Sequence, residues 1–294
     1  GHMRLVTFTE NGTTRLGVMQ GQNITDLSRA APDLPREMNA FLRAGESAIE
    51  AAGNAEGDDF ALNEVKLLSP VSQPGKVLAV ALNYSDHLAE VQEAMPDFPT
   101  PRTPMLFTKQ NSSVTGPFDP IYLPPESPQL DYEAELAIVI GKTCRRVPKD
   151  RAHEVIAGGM VANDVSIRDW QMASQTMTMG KSWDSHCPMG PALVTPDELD
   201  FANLDFTCLV NGEQRQSSNT SLLVFDIPTL INHLSTVCTL YPGDVILTGT
   251  TSGVALWMEG QPWLKPGDVV TCDFGALGSI ENIVENDPVG TMIA

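Results

Sequence analysis

Positive charge is scarce in this chain. Its 294 residues carry 18 lysines and arginines against 37 aspartates and glutamates, a net charge of −19. Such a surface repels phosphate backbones and anionic headgroups, so neither nucleic acid nor a membrane surface is an expected partner. A small anionic ligand would need cations or a metal gathered locally against that field. Long apolar runs are missing too. No stretch reaches the roughly 20 residues that a membrane-crossing helix needs, and no secretory signal is expected before the first strand. Cysteine is sparse: Cys144, Cys187, Cys208, Cys238 and Cys272 are scattered, odd in number and form no C-x-x-C. That pattern disfavours a disulfide framework or a zinc site and fits reduced thiols in a cytoplasm. Also absent are G-x-S-x-G, H-E-x-x-H and G-x-G-x-x-G, the signatures of a nucleophile elbow, a zincin and a dinucleotide site. His186 stands beside Cys187, but chain neighbours rarely form a nucleophile–base pair, and Cys187 reads as structural.

What is present is ordinary globular material. With 42% hydrophobic residues the chain can build one large domain, or a large one and a small one. Gly1-His2-Met3 reads as the remnant of a cleaved tag. Two alternating runs flank Glu10-Asn11-Gly12, a hairpin signal, and residues 31–55 read as helical. The stretch SPVSQPGK, residues 69–76, marks a boundary between a small N-terminal α/β domain (1–70) and the remainder (71–294). Beyond it, strands are expected at Lys76–Ala81, Pro104–Thr108, Glu133–Ile140, Phe206–Val210, Asp244–Thr248 and Asp268–Phe274. The clearest helix is SLLVFDIPTLINHLSTV. The expected class is α+β, strand-dominated, in a sandwich, roll or barrel.

The segment LDYEAELAIVIG carries Glu133 and Glu135 at the head of a strand. Residues two apart share a face, about 6.6 Å from one another along the strand. Two like charges there repel unless water or a cation lies in front of them. Further on, AGGMVANDVSIRDWQMAS reads as a strand turning into a helix near Asp164, with Asp164, Arg168 and Gln171 at i, i+4 and i+7 on one face. Three carboxylate oxygens completed by water suit Mg²⁺ or Mn²⁺. The alternative is an N-cap at Asp164 and two solvent-facing glutamates on an edge strand. In ALNYSDHLAE, His87 and Glu90 at i, i+3 form either a carboxylate-oriented general base or a surface ion pair. Lys181 alone reads as a surface lysine. LTGTTSGV offers amides and hydroxyls for a carboxylate or phosphate, or is a plain turn. LAEVQEAMPDFPTPRTP, after His87, lacks clear periodicity and reads as a lid.

Taken in order, ALNYSDHLAE, LFTKQNSSVTGPFDPI, LDYEAELAIVIGK, ANDVSIRDWQ, GKSWDSHCPMGP, VNGEQRQ and GDVILTGTTSGV resemble the fumarylacetoacetate hydrolase superfamily over residues 70–285. The resemblance implies a mixed β-roll catalytic domain with a small N-terminal domain, and a homodimer. It also implies a Mg²⁺ or Mn²⁺ ion, or Ca²⁺ as isolated, on Glu133, Glu135 and Asp164. His87, oriented by Glu90, would activate water, and Lys181 with Gln171 would stabilise an oxyanion. Thr250, Tyr84 and Arg168 would form the substrate-binding set, Arg168 more as support than as direct contact. The implied substrate is a small anionic 2-oxo acid. The expected reaction is hydrolysis of the C–C bond of an acylpyruvate-like 2,4-dioxo acid through a pyruvate enolate. Oxaloacetate decarboxylation and isomerisation or tautomerisation use the same enolate and stay as alternatives, as does a 2-oxo acid-binding protein without turnover. Two departures stand out. The family often has Thr-Gly-Thr-Pro-x-Gly-Val in the last loop, where this chain has Thr251 for the proline. A glycine usually follows that valine, where this chain has Ala255. Both fall where the substrate's distal group would lie.

Overall fold

The computed structural model describes residues 2–294; of the expected tag remnant, Gly1 lies outside the described residues. The hairpin forms where it was expected. Asn11 and Gly12 take positive φ, 49° and 76°, as a type I′ turn demands, and Arg4–Glu10 pairs antiparallel with Thr13–Gln20. These strands continue into a large sheet, because Arg4–Glu10 also pairs with Cys187–Val194. From edge to edge the strands run Phe60–Ala61, Asn23–Asp26, Thr13–Gln20, Arg4–Glu10, Cys187–Val194, Ile156–Asn163, Ala134–Ile140, Val245–Leu247, Val77–Ala81 and Met105–Thr108. Residues 69–76 cross from the first group of strands to the last, so the N-terminal segment and the rest share one sheet.

Ala134–Ile140 lies in the middle of that sheet, hydrogen-bonded to Ile156–Asn163 on one side and Val245–Leu247 on the other. Its alternate residues enter different cores. Leu136, Ile138 and Ile140 face a cluster shared with a second, five-stranded sheet and the helix Ile227–Val237. Ala137 and Val139 face a cluster shared with Phe41, Leu42, Ala48 and Ala52. Those four belong to Met38–Arg43 and Glu46–Gly53, the two helices into which the stretch 31–55 divides at Gly45, φ 81°. A strand buried on both faces reads as a near-continuous apolar run, and this one excludes the edge-strand alternative for its two glutamates. The molecule is mixed α/β and strand-dominated.

Two expectations change. Asp164 does not open a helix: the strand ends at Asn163, Ser166–Ile167 pairs with Leu130–Asp131, and the helix begins at Arg168. β-branched Val165 and Ile167 favour that extra bridge over a helical turn. The segment after His87 is also not irregular throughout. Ser85–Ala94 is a helix whose Leu88 and Val91, at i and i+3, are buried; only residues 95–104 lack regular structure.

Candidate active site

Strand register assembles the acidic cluster. Ala134 pairs with Asn163, so the next residue, Asp164, meets Glu133, and its N–H donates to the Glu133 carbonyl at 2.9 Å. Glu135 lies two residues along on the same face as Glu133. The three carboxylates are buried and present oxygens within 4.8 Å of one another. A compact set of hard oxygens fits a Mg²⁺- or Mn²⁺-sized ion. The donor set therefore suits the group that the resemblance implies.

Three cations surround the cluster. Lys181, read alone as a surface lysine, is buried; its Nζ lies 3.1 Å from Glu133 Oε1 and 3.3 Å from Asp164 Oδ2, and donates to Ser166 Oγ. Its approach to Phe107 leaves it over the ring. Arg168 reaches Glu133 and Asp131, each at 2.9 Å, and donates to Gln171 Oε1. The third is Lys109, 1% exposed, which donates to Asp164 Oδ1 at 2.6 Å and to the Val165 carbonyl. Sequence reasoning missed Lys109. Its only signal was a lysine closing the apolar run of Met105–Thr108, which has no diagnostic spacing.

The electrostatics separate the two glutamates. Burial raises the Glu133 carboxyl, but Lys181, Arg168 and His87 outweigh it and hold Glu133 well below the usual range. Glu135 has no comparable cation. Burial, then the charges of Asp164 and Glu133, push it well above the usual range, and it shares a hydrogen bond with Asp164. Of the two glutamates, Glu135 is thus the one whose charged form is less favoured.

His87 is 7% exposed, which excludes the surface-pair alternative. Its Nδ1 meets Glu90 Oε1 at 2.8 Å, and Glu90 Oε2 accepts the Gly253 N–H at 3.1 Å. His87, Glu133, Arg168, Gln171, Lys181 and Thr250 line one cavity of about 320 Å³. Its outer wall is apolar, formed by Val91, Phe98, Met105, Leu256 and Trp257. Thr250 lines it as a braced residue: its hydroxyl donates to the Ala134 carbonyl and accepts from Gln216. Buried Gln216 also accepts the Ala134 N–H and escaped notice in the sequence, where it is one polar residue in VNGEQRQ. Tyr84 is placed differently from expectation. It is fully buried, packs edge-on against Phe206 at 5.6 Å, and is not among the cavity's lining residues. Cys187 keeps its structural reading: burial lifts its thiol to about 12. Burial also lowers His186 to about 3, and its Nε2 meets the Tyr122 carbonyl.

A strand-dominated fold whose cavity brings a His–Glu pair together with one residue of a buried acidic cluster has the build of an enzyme site. Residues 76–285 match the family model described as fumarylacetoacetate (FAA) hydrolase C-terminal, and the chain belongs to that family of enzymes. It is 42% identical to "Oxaloacetate tautomerase fahd2, mitochondrial" of Xenopus laevis, over 96% of this chain and 90% of that protein. It is likewise 42% identical to "Oxaloacetate tautomerase FAHD2A, mitochondrial" of Homo sapiens, over 96% and 91%. Among solved structures, maleylpyruvate hydrolase from Sphingobium sp. SYK-6, in complex with manganese(II) and pyruvate, superposes with a TM-score of 0.77 at 33% identity, covering 97% of this chain and 99% of that one. A putative HpcE protein from Mycobacterium smegmatis gives 0.85 at 34%, covering 95% and 99%. No helix among the described residues is long and apolar enough to cross a membrane.

Proposed function

We propose that this protein is a divalent-metal-dependent tautomerase that interconverts the keto and enol forms of a small 2-oxo acid of the oxaloacetate type. One observation carries the reading: His87, held by Glu90, lines the same cavity as Glu133, which is hydrogen-bonded through its main chain to Asp164 and clusters with it and Glu135 directly behind the wall. Tautomerisation moves a proton between C3 and O2 and needs nothing beyond a base and a place for enolate charge. Glu90 accepts from His87 Nδ1, which leaves Nε2 as the atom that takes and returns the C3 proton. Lys181, 2.8 Å from Ser166 Oγ and flanked by Glu133 and Asp164, places positive charge where the enolate develops. Arg168 fixes Gln171 beside it. Glu133, Glu135 and Asp164 would hold Mg²⁺ or Mn²⁺, which supplies Lewis-acid polarisation of the 2-oxo group when bound. The relatives named oxaloacetate tautomerase favour this order of readings over the expected hydrolysis.

Hydrolysis of an acylpyruvate stands as the second reading. It is favoured by the likeness to maleylpyruvate hydrolase and by an apolar outer wall with room for an acyl group. There His87 would take its proton from water. Two assays on one metal-loaded preparation decide between them. One follows the loss of enol oxaloacetate by its ultraviolet absorbance, with deuterium uptake at C3 read by NMR. The other measures pyruvate released from a panel of acylpyruvates. Accelerated ketonisation without pyruvate release is expected; the reverse would replace the tautomerase with a hydrolase.

A further inference from the structure

Thr251 stands where the family pattern often has proline, and its side chain does something proline cannot. It is fully buried, and its Oγ1 donates to Asp86 Oδ2 at 2.6 Å. The other oxygen of that carboxylate, Oδ1, accepts the backbone N–H of His87 at 2.9 Å. One carboxylate therefore bridges the loop hydroxyl to the main chain of the base. Two residues further along, Gly253 N–H donates to Glu90 Oε2, the partner of His87. Gly253 has φ 102°, and a Cβ there would lie 1.9 Å from the Arg215 carbonyl oxygen, so the loop is fixed in this approach. Its other end is tied to the acidic cluster: Gly249 N–H donates to Glu135 Oε1 at 2.8 Å. The helix Ser85–Ala94 has no side-chain N-cap of its own, which leaves Asp86 as the link that locks its first turn.

We infer that Thr251 is a positioning residue, setting through Asp86 the placement of the His87 imidazole relative to Glu133, Glu135 and Asp164. The inference rests on the proposed role of His87 as the base. A small displacement of a base from its reacting atom has a large effect on rate and a small one on binding. Loss of a hydrogen bond to a charged group also sets the scale of the coupling.

The test uses the full-length, metal-loaded protein and the variants Thr251→Val, Thr251→Ser, Asp86→Ala and Thr251→Val/Asp86→Ala. Thr251→Val removes the hydroxyl at constant shape and should lower kcat for enol oxaloacetate by about 10- to 100-fold. KM should stay within about threefold and bound metal should be unchanged. Thr251→Ser, which keeps the donor, should recover most of the rate. Because the effect runs through Asp86, the double variant should be no slower than Asp86→Ala alone. Amide exchange across residues 85–94 should quicken in Thr251→Val and return in Thr251→Ser. Additive losses in the double variant, or unchanged kcat and exchange in a folded Thr251→Val, would overturn the inference. The exchange readout does not depend on the reaction. Exchange that responds as expected in a protein without tautomerase activity would leave the positioning link standing and remove the function assigned to it.

Discussion

Lys109→Met should destabilise the metal-free protein far more than the metal-loaded one. Lys109 and Asp164 are both fully buried side chains, 2.6 Å apart. Methionine fills the same space without charge. Removing one partner of such a pair leaves the other charge stranded, at a cost of about 3–5 kcal/mol. Lys181, 3.3 Å from the second oxygen of Asp164, keeps that carboxylate partly compensated and points to the lower end, about 3 kcal/mol. At roughly 2 °C per kcal/mol for a chain of this size, the melting temperature in EDTA should fall by about 6 °C. A divalent ion on Glu133, Glu135 and Asp164 replaces the missing positive charge. Mg²⁺ or Mn²⁺ should therefore raise the melting temperature of the variant more than that of the parent, and its affinity should increase. Differential scanning calorimetry in EDTA and across a metal titration gives both quantities. An unchanged melting temperature in EDTA, or a smaller metal-induced rise in the variant, would refute the view that Lys109 and the ion compensate the same charge.

Three further outcomes are expected. Because Glu135 has a raised carboxyl, the stability that its proton gives the metal-free protein is complete below its unfolded value, about 4.3. That contribution is lost as pH rises through the folded value. Metal uptake should accordingly strengthen with pH and release about one proton per ion, which calorimetric titration in two buffers of different ionisation enthalpy measures. His87→Ala should slow ketonisation by about 10²- to 10⁴-fold while equilibrium dialysis finds its metal content unaltered; a parallel loss of metal would mean that the variant damages the cluster. Oxalate should slow amide exchange in residues 95–104 if this irregular stretch closes over an occupied cavity, and identical exchange with and without oxalate would remove the lid.

The parts of this molecule that could be read in advance are those set by short-range pattern. Alternation and β-branching located the six strands named after residue 75 within a residue at each end, as where Lys76–Ala81 was expected and Val77–Ala81 forms, whereas Cys187–Val194, Glu213–Asn219 and Ser279–Asn286 were not foreseen. The paired glutamates were legible because their spacing poses an electrostatic problem whose solutions are few. Long-range register was not legible. Asp164 was placed on a helix because Arg168 and Gln171 follow at helical spacing, whereas the bridge to Leu130–Asp131 depends on a segment more than thirty residues earlier in the chain. Tyr84 and Lys109 failed in opposite directions for one reason. Nothing local tells whether a polar residue shortly after a strand turns into the core, as Tyr84 does, or towards a carboxylate 55 positions away, as Lys109 does.

The central strand Ala134–Ile140 has neighbours on both edges and apolar packing on both faces. Glu135 lies within it and Glu133 just before it, so the geometry of these two carboxylates can open only when the sheet itself opens, at close to the full unfolding free energy. His87 and Glu90 ride instead on a ten-residue helix at the cavity's mouth, and the outer wall comes from short segments beside it. The fold thus keeps its invariable and its adjustable parts on different elements. Residues around the mouth can be exchanged, and with them the shape of the ligand that fits, while the acidic frame stays as it is. A chain with this architecture can acquire a new substrate by changing a handful of outer-wall residues such as Phe98, Met105 and Trp257.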